Sequence, residues 1–186
     1  MKALLIAAAL ITSFVATLAN AGDDALLGEA RKVATMLPPR LLAALQEEIS
    51  KSGPEGAIPV CMDMAPKMAG EISRQTGWKV KRASLKARND ARAIPDAWEK
   101  AALEDFDKRA AAGEPPAQLE KGEKVGNEYR YVKALPVQPL CLSCHGHVDQ
   151  LTPAVRSAIG QHYPNDRATG YSVGQIRGAI SVRKPL

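Results

Sequence analysis

A chain of 186 residues, 46% of them hydrophobic, is long enough to fold as one domain with a substantial core. Its formal net charge of +5 comes from scattered lysines and arginines, and only 4% of its residues are aromatic. A nucleic-acid-binding protein concentrates basic residues on one face, so this composition argues against that class. A mild positive surface would instead favour docking to an acidic partner protein.

Residues 1–21 have the pattern of a secretory signal peptide. Lys2 precedes a largely apolar run from Ala3 to Leu18, and Ala19-Asn20-Ala21 has the small-x-small form of a cleavage site. The alternative is a membrane anchor, but the apolar run is short for a membrane span and no basic cluster follows it. We therefore expect cleavage after Ala21, a single domain over residues 22–186 without a membrane span, and a periplasmic location.

Three helical segments are expected before Gly77. Apolar residues at helical spacing mark the first two, which are separated by Pro38-Pro39: Leu26, Ala30, Val33 and Leu37, then Leu41, Leu42, Leu45 and Ile49. Ser52-Gly53-Pro54 is expected to end the second segment. A third runs from about Pro59 to Thr76 and places Cys61, Met64, Met68 and Ile72 on one face.

The pattern then changes to alternation typical of strands. Trp78 to Arg88 alternates with a phase slip at Lys81-Arg82, which predicts a strand with a bulge. A helix is expected from Pro95, one strand over Val125 to Val137, a short helix over Pro153 to His162, and a last strand marked by Ile176, Ile180 and Val182. This order predicts an α+β domain, with N-terminal helices packed on a small antiparallel sheet.

The run Cys141-Leu142-Ser143-Cys144-His145 predicts a c-type haem attachment site just before the last strand. Each thiol would form a thioether with one vinyl group of the porphyrin, and His145 would give its imidazole nitrogen to the iron. A redox-active CxxC is disfavoured because Pro136 and Pro139 break the chain before it. A zinc site stays open, since His147 and Cys61 could complete four ligands. We expect one covalently bound haem c, with its iron, per chain.

The second iron ligand has several candidates: Cys61, His147, His162, the methionines at 36, 62, 64 and 68, water, or an open position. Cys61 is favoured because it is the only other cysteine, and a spare thiol in an exported protein invites oxidation unless it is buried or bound. The alternative is that Cys61 is a small buried hydrophobic residue. Pro66 leaves its orientation open, because a helix beginning there places Cys61 in the preceding turn.

With these motifs, the chain resembles a known family of single-haem c-type periplasmic proteins with a PAS-like fold. The resemblance rests on the late Cys141 to His145 motif and on Cys61, together with Arg82-x-Ser84, Arg88-Asn89 and Pro95-Asp96-x-Trp98-Glu99. It implies a PAS-like fold here and iron ligation by His145 and Cys61. The family pattern has a proline after the Arg-Asn pair and a second asparagine shortly after, where this chain has Asp90 and Arg92.

A cysteine and histidine ligand pair predicts how the iron would behave. A thiolate favours ferric iron, so the reduction potential should be low, and reduction should weaken the bond to Cys61. We therefore expect a redox or diatomic-gas sensor, whose partner is a redox protein or a small ligand such as CO or NO. The alternative is a periplasmic electron-transfer cytochrome with fixed ligands. An enzyme such as a peroxidase is not expected, since no distal histidine and arginine pair is evident.

Two further groups of residues are candidates for contacts with the haem. Trp78, Tyr129 and Tyr131 are candidates for packing against the ring, and the alternative is that they are core aromatics. Arg82, Arg88 and Arg130 are candidates for neutralising the propionates, and the alternative is that they are solvated strand residues.

Overall fold

The computed structural model describes residues 22–186, so the predicted signal peptide lies outside the described residues. The helices are α1 (22–34), α2 (Leu37–Gly56), α3 (Ala65–Thr76), α4 (Asp90–Ala93), α5 (Ala97–Ala111), α6 (Leu142–His145) and α7 (Pro153–His162). The strands are β1 (Lys79–Ala83), β2 (Glu120–Val125), β3 (Glu128–Pro136) and β4 (Ile176–Pro185). The predicted α+β class is confirmed. Among residues 22–186, no helix has the length and apolar character of a membrane span.

The four strands form one antiparallel sheet in the order β1-β4-β3-β2. The segment from Cys141 to His145 lies between β3 and β4 in the chain. The two central strands therefore flank this segment in sequence and fix where it enters and leaves the sheet.

Both faces of the sheet are covered by helices. The central strand β3 accordingly carries apolar residues on both of its faces. On one face Tyr129 and Tyr131 pack with residues of α1 and α3, as predicted for the N-terminal helices. On the other face Val132 and Ala134 pack with Leu103 and Phe106 of α5 and their neighbours. The sheet is thus the middle layer of three.

The bulge predicted at Lys81-Arg82 is wrong, since β1 pairs with β4 in an unbroken register there. Lys81 lies toward α5 and forms an ion pair with the buried carboxylate of Glu99 at 2.8 Å. Arg82 takes an inward position on the opposite face, where it lines a cavity. Two charged residues therefore follow each other on opposite faces of the strand. In the sequence, this succession looks like a phase slip in the alternation. The irregular register lies instead at Leu135/Pro136 in β3.

The single strand expected over Val125 to Val137 is two strands joined by a tight turn. Val125 pairs with Glu128, so the loop consists of Gly126 and Asn127. Gly126 has a φ of 60°, a conformation that glycine adopts without steric cost. Sequence patterning missed β2 because most of its residues are charged and it lies at the sheet edge.

Local signals explain the helices that border the site. Pro38 and Pro39 lie in the first turn of α2, so they begin this helix and do not merely separate two helices. Gly53 interrupts the helical backbone before Gly56. Asp96 and Glu99 form a capping box, so the helix expected from Pro95 begins at Ala97 as α5.

Candidate functional site

The four predicted site residues, Cys61, Cys141, Cys144 and His145, line one cavity of about 450 Å³. Its other walls come from α2, β1, β4 and the end of β3. The wall formed by α2 is apolar, with Leu37, Leu41, Leu42, Leu45 and Ile49 facing the cavity. A cavity of this size and lining is typical of a site for a small molecule or cofactor.

The paired cysteines lie on consecutive helical turns. Pro139–Cys141 is a 3-10 turn, and α6 follows it at once. The backbone N–H of Gln138 lies 3.4 Å from Cys141 Sγ, and Cys144 Sγ lies 3.8 Å from the carbonyl of Pro54. All three cysteines of the chain are free thiols. Burial raises the pKa of Cys144 to about 11, so this thiol is protonated near neutral pH.

His145 is held in one tautomer. Its Nδ1 lies 2.6 Å from the carbonyl oxygen of Ala168, which can only accept a hydrogen bond. Nδ1 therefore carries the proton and Nε2 keeps its lone pair. Burial, followed by the charges of Arg177 and Arg88, lowers the pKa of His145 well below its ordinary value. A neutral imidazole whose outer nitrogen donates to a backbone carbonyl is the arrangement that histidine metal ligands adopt.

Arg88 joins the paired-thiol turn to the loop that follows α7. Its Nη2 donates to the carbonyl of Cys144 at 2.6 Å, and its Nε and Nη2 each contact the Asp166 carboxylate at 3.1 Å. The carboxylate of Asp166 in turn accepts a hydrogen bond from the backbone N–H of Ala168. Arg88 therefore positions both the turn and the carbonyl that holds His145.

Cys61 lies in a π-helical turn, Val60–Met64, that joins the end of α2 to α3. Pro66 occupies the first turn of α3, so Cys61 is in the preceding turn and still lines the cavity. Arg82 Nη2 donates to the carbonyl of Cys61 at 3.2 Å. Single π-turns are often found at functional sites.

The other candidates for the second ligand lie elsewhere. His147 and His162 have exposed side chains and do not line the cavity. The methionines do not line it either: Met36 and Met68 pack against the core of the sheet, Met62 packs near α7, and Met64 is exposed. Among the candidates within residues 22–186, Cys61 is the one that shares the cavity with His145. The exposed position of His147 also leaves the four-ligand zinc site unassembled.

The three aromatic candidates for ring packing take the alternative position, in the core. Trp78, Tyr129 and Tyr131 are buried in the core between the sheet and the N-terminal helices and do not line the cavity. With few aromatic residues in the chain, the core takes the largest ones. Tyr163, at the end of α7, is the tyrosine that lines the cavity.

Of the three arginines expected near the propionates, Arg82 and Arg88 line the cavity and Arg130 does not. Arg130 lies on the α5 side of the sheet, where it pairs with Asp96 and stacks on Trp98 at 4.6 Å. Its place in β3 puts it on the face opposite Tyr129 and Tyr131, which explains the difference.

Sequence reasoning missed Arg177, which also lines the cavity. Its Nε lies 3.3 Å from Nδ1 and 3.4 Å from Nε2 of His145. An arginine in an alternating strand has the pattern of a solvent-exposed residue. The glycine that follows it, Gly178, was a clue, because a glycine within a strand often marks the close approach of another backbone. Here that backbone is β1.

Comparisons with known proteins extend over nearly the whole chain. Residues 8–185 match the Tll0287-like family, described as Tll0287. The crystal structure of the cyanobacterial heme-protein Tll0287 is similar to this chain, with 28% sequence identity and a TM-score of 0.67. That likeness covers 86% of this chain and 94% of the other. No curated protein matches the sequence.

Proposed function

Because this chain belongs to the Tll0287-like family, we propose that it is a haem protein in which Cys141 and Cys144 hold one haem c covalently. His145 and Cys61 are the proposed iron ligands. The observation that carries this proposal is the hydrogen bond from His145 Nδ1 to Ala168, which leaves Nε2 free in a cavity also lined by Cys61. The similar cyanobacterial structure is that of a heme-protein.

The residues present fit such a group. The leucines of α2 offer the apolar contact that a porphyrin face requires, and the paired thiols and the imidazole line the same cavity. Arg82 lies in the same cavity as a partner for a carboxylate. Haem supplies an iron that changes oxidation state and can exchange an axial ligand.

We propose that the chain acts as a redox or diatomic-gas sensor through Cys61. A thiolate ligand favours ferric iron, so Cys61 would be the ligand whose bond to the iron weakens on reduction. Cys61 lies in the turn between α2 and α3, and Arg82 ties its carbonyl to β1. Release of Cys61 would therefore act on three elements at once. We further propose a PAS-like fold, which the N-terminal helices on one face of an antiparallel sheet support.

Electron transfer with fixed ligands is the second candidate function. It is favoured by the rigid histidine side of the site, where the Ala168 carbonyl holds the ring and Arg88 holds the turn. Little rearrangement on reduction would suit an electron carrier. Its partner would be a redox protein, whereas the sensor would meet a small ligand such as CO or NO.

The signal peptide, the periplasmic location and the lack of enzymatic activity stay predictions. Intact mass of protein purified from a bacterial periplasm tests the first two, and we expect loss of residues 1–21. Absence of turnover with peroxide and a reducing dye is expected for a protein that is not a peroxidase.

The haem proposal is tested by mass spectrometry and electron paramagnetic resonance of the purified protein. We expect one covalently added haem and a low-spin ferric spectrum with sulfur coordination. Cys141→Ala/Cys144→Ala should lose the covalent mass, whereas Ser143→Ala, between the same two cysteines, should keep it. A wild-type protein with no added mass would overturn the proposal.

Voltammetry then separates the two functions. Ligand exchange on reduction and CO binding by the ferrous protein would support the sensor. Rapid, reversible voltammetry with the same ligands in both oxidation states, and no CO binding, would support the electron carrier.

A further inference from the structure

We propose that Arg177 is a positioning residue for His145: its guanidinium directs Nε–H at the face of the imidazole, fixes the plane of the ring and sets a permanent positive charge against it. This inference rests on the proposed role of His145 as an iron ligand. It concerns a residue that no sequence motif singled out.

The two distances from Arg177 Nε show where the guanidinium lies. Nε is nearly equidistant from the ring nitrogens, at 3.3 Å from Nδ1 and 3.4 Å from Nε2. A donor in the ring plane at equal distances from both would collide with Cε1, which lies between them. Nε therefore lies over the face of the ring, and its N–H is directed at that face.

This placement leaves the ligand atom free. The lone pair of Nε2 points outward in the plane of the ring, whereas Arg177 approaches from above that plane. Nδ1 is already bonded to the carbonyl of Ala168 at 2.6 Å. Arg177 therefore holds His145 without occupying the position that a metal would take.

Arg177 is itself fixed. Its Nη1 donates to the hydroxyl of Ser84 at 2.8 Å and to the carbonyl of Lys86 at 3.2 Å. Its Cζ lies 5.6 Å from the centre of the Tyr171 ring, whose plane is nearly perpendicular to that of His145. A guanidinium held on several sides loses little further freedom when its Nε–H contacts the ring, so the ring plane is defined by a rigid frame.

Arg177 and Arg88 differ in the groups that surround their positive charges. Arg88 is matched by the carboxylate of Asp166, so its field is largely cancelled at a distance. The groups that hold Arg177 are neutral: a hydroxyl, a carbonyl and an aromatic ring. Its positive charge therefore acts on the site with little cancellation, in a partly buried setting where screening is weak.

A positive charge beside one ligand opposes the effect of a thiolate at the other. The thiolate stabilises the oxidised metal, whereas the guanidinium stabilises the state with one positive charge fewer, which is the reduced one. Arg177 therefore raises the reduction potential from the value that a cysteine and histidine pair alone would give.

The test measures potentials and paramagnetic spectra of the haem-loaded full chain. Arg177→Met removes the charge and the planar head, and the potential should fall by a tenfold change in the ferric-to-ferrous equilibrium, about 59 mV for one electron. Arg183→Met is the matched control, because Arg183 lies on the same strand, pairs with Glu128 and does not line the cavity. The control should change the potential by less than a third as much.

Arg177→Lys separates the two parts of the proposal. It keeps the charge and loses the Nε–H directed at the ring, so the potential should stay near the wild-type value while the g-values of the low-spin spectrum move. If both Arg177 variants leave potential and g-values unchanged, or if Arg183→Met shifts the potential as far as Arg177→Met, the proposal is overturned.

If Arg177→Met does not fold, Ser84→Ala decides the positioning role, because it removes the hydroxyl that holds Nη1 and leaves all charges in place. Altered g-values support the proposal, and unchanged g-values overturn it. Failure of the haem proposal can be told apart from failure of this one. If the haem proposal fails, the wild-type protein lacks covalent haem. If only the Arg177 proposal fails, the wild type carries haem and the variants show no change.

Discussion

Arg88 and Asp166 form a buried, doubly bonded ion pair next to the paired-thiol turn, with both contacts at 3.1 Å. Their side chains are only 7% and 9% exposed. The same guanidinium reaches the carbonyls of Cys144 and Ala168. The pair therefore connects the turn that precedes His145 with the loop whose carbonyl orients its ring.

Replacing Arg88 by methionine should destabilise the protein by about 3–5 kcal/mol, because Asp166 keeps its charge without a partner in a buried site. Urea denaturation at pH 7 measures the change. Arg88→Met/Asp166→Asn should lose less than the single variant, since no unpaired charge remains. A single variant as stable as wild type would contradict the structural role of the pair.

Cys61→Ser should change the visible spectra of both the ferric and the ferrous haem protein, because an alcohol cannot replace a thiolate as an electron-rich ligand. Met64→Leu is the control, since Met64 lies in the same π-turn with its side chain exposed. Its spectra should equal those of wild type. Unaltered spectra in Cys61→Ser would remove Cys61 as a ligand and the sensor with it.

Glu120 should make stability depend on pH in the acid range. Burial raises the pKa of Glu120, but hydrogen bonds from Arg31 and Tyr131 and the charge of Lys133 outweigh it and hold the pKa below 4.5. The unfolded chain thus binds more protons in this range, so the contribution is complete above pH 4.5 and is lost as the pH falls through the lower folded pKa.

Glu120→Gln should therefore be less stable than wild type at pH 7, and the difference should shrink as the pH falls toward 3. Thermal unfolding at a series of pH values measures it. Glu104→Gln, at an exposed position of α5, is the control and should show little difference at any pH. A difference that stays constant with pH would contradict the prediction.

Gly178→Ala should destabilise the protein by about 1–3 kcal/mol, because overpacking forces the surrounding atoms to move. A Cβ at this position would lie 2.4 Å from the carbonyl oxygen of Ala83, on the neighbouring strand β1. Gly160→Ala, in α7, is the matched control. Nothing lies within 4 Å of its added Cβ, so it should gain about 0.5–1 kcal/mol. Chemical denaturation measures the stability of both variants. Equal stabilities of Gly178→Ala and Gly160→Ala would contradict the close approach of β1 to Gly178.

Hydrophobic periodicity predicted the elements whose apolar residues lie on a buried face. The helix expected over Pro153 to His162 has those bounds in the structure, since Val155 and Ile159 face the core. Alternation located β4 through Ile176, Ile180 and Val182. Alternation failed for β2, because its charged residues do not alternate with a row of buried apolar ones. It also failed at Lys81-Arg82, because Lys81 is paired and Arg82 lines a cavity.

The candidate site was predictable where a residue type has few uses in a chain of this composition. Cysteine is such a type, and Cys61, Cys141 and Cys144 share one cavity with His145. Arginine has many uses, so the neighbouring Gly178 is the one sequence clue that separates Arg177, whose Nε–H points at the ring of His145, from Arg183 on the same strand. The π-turn that holds Cys61 has no sequence period of its own, which is why its orientation could not be settled from Pro66 alone.

The strand order has a consequence for how the paired thiols first meet their surroundings. β4 lies between β1 and β3, yet it follows Cys141 and Cys144 in the chain. As the polypeptide is made, these thiols leave the ribosome while the sheet still lacks a middle strand. Until β4 inserts between β1 and β3, the cavity around these thiols lacks the wall to which Arg177 and Gly178 contribute.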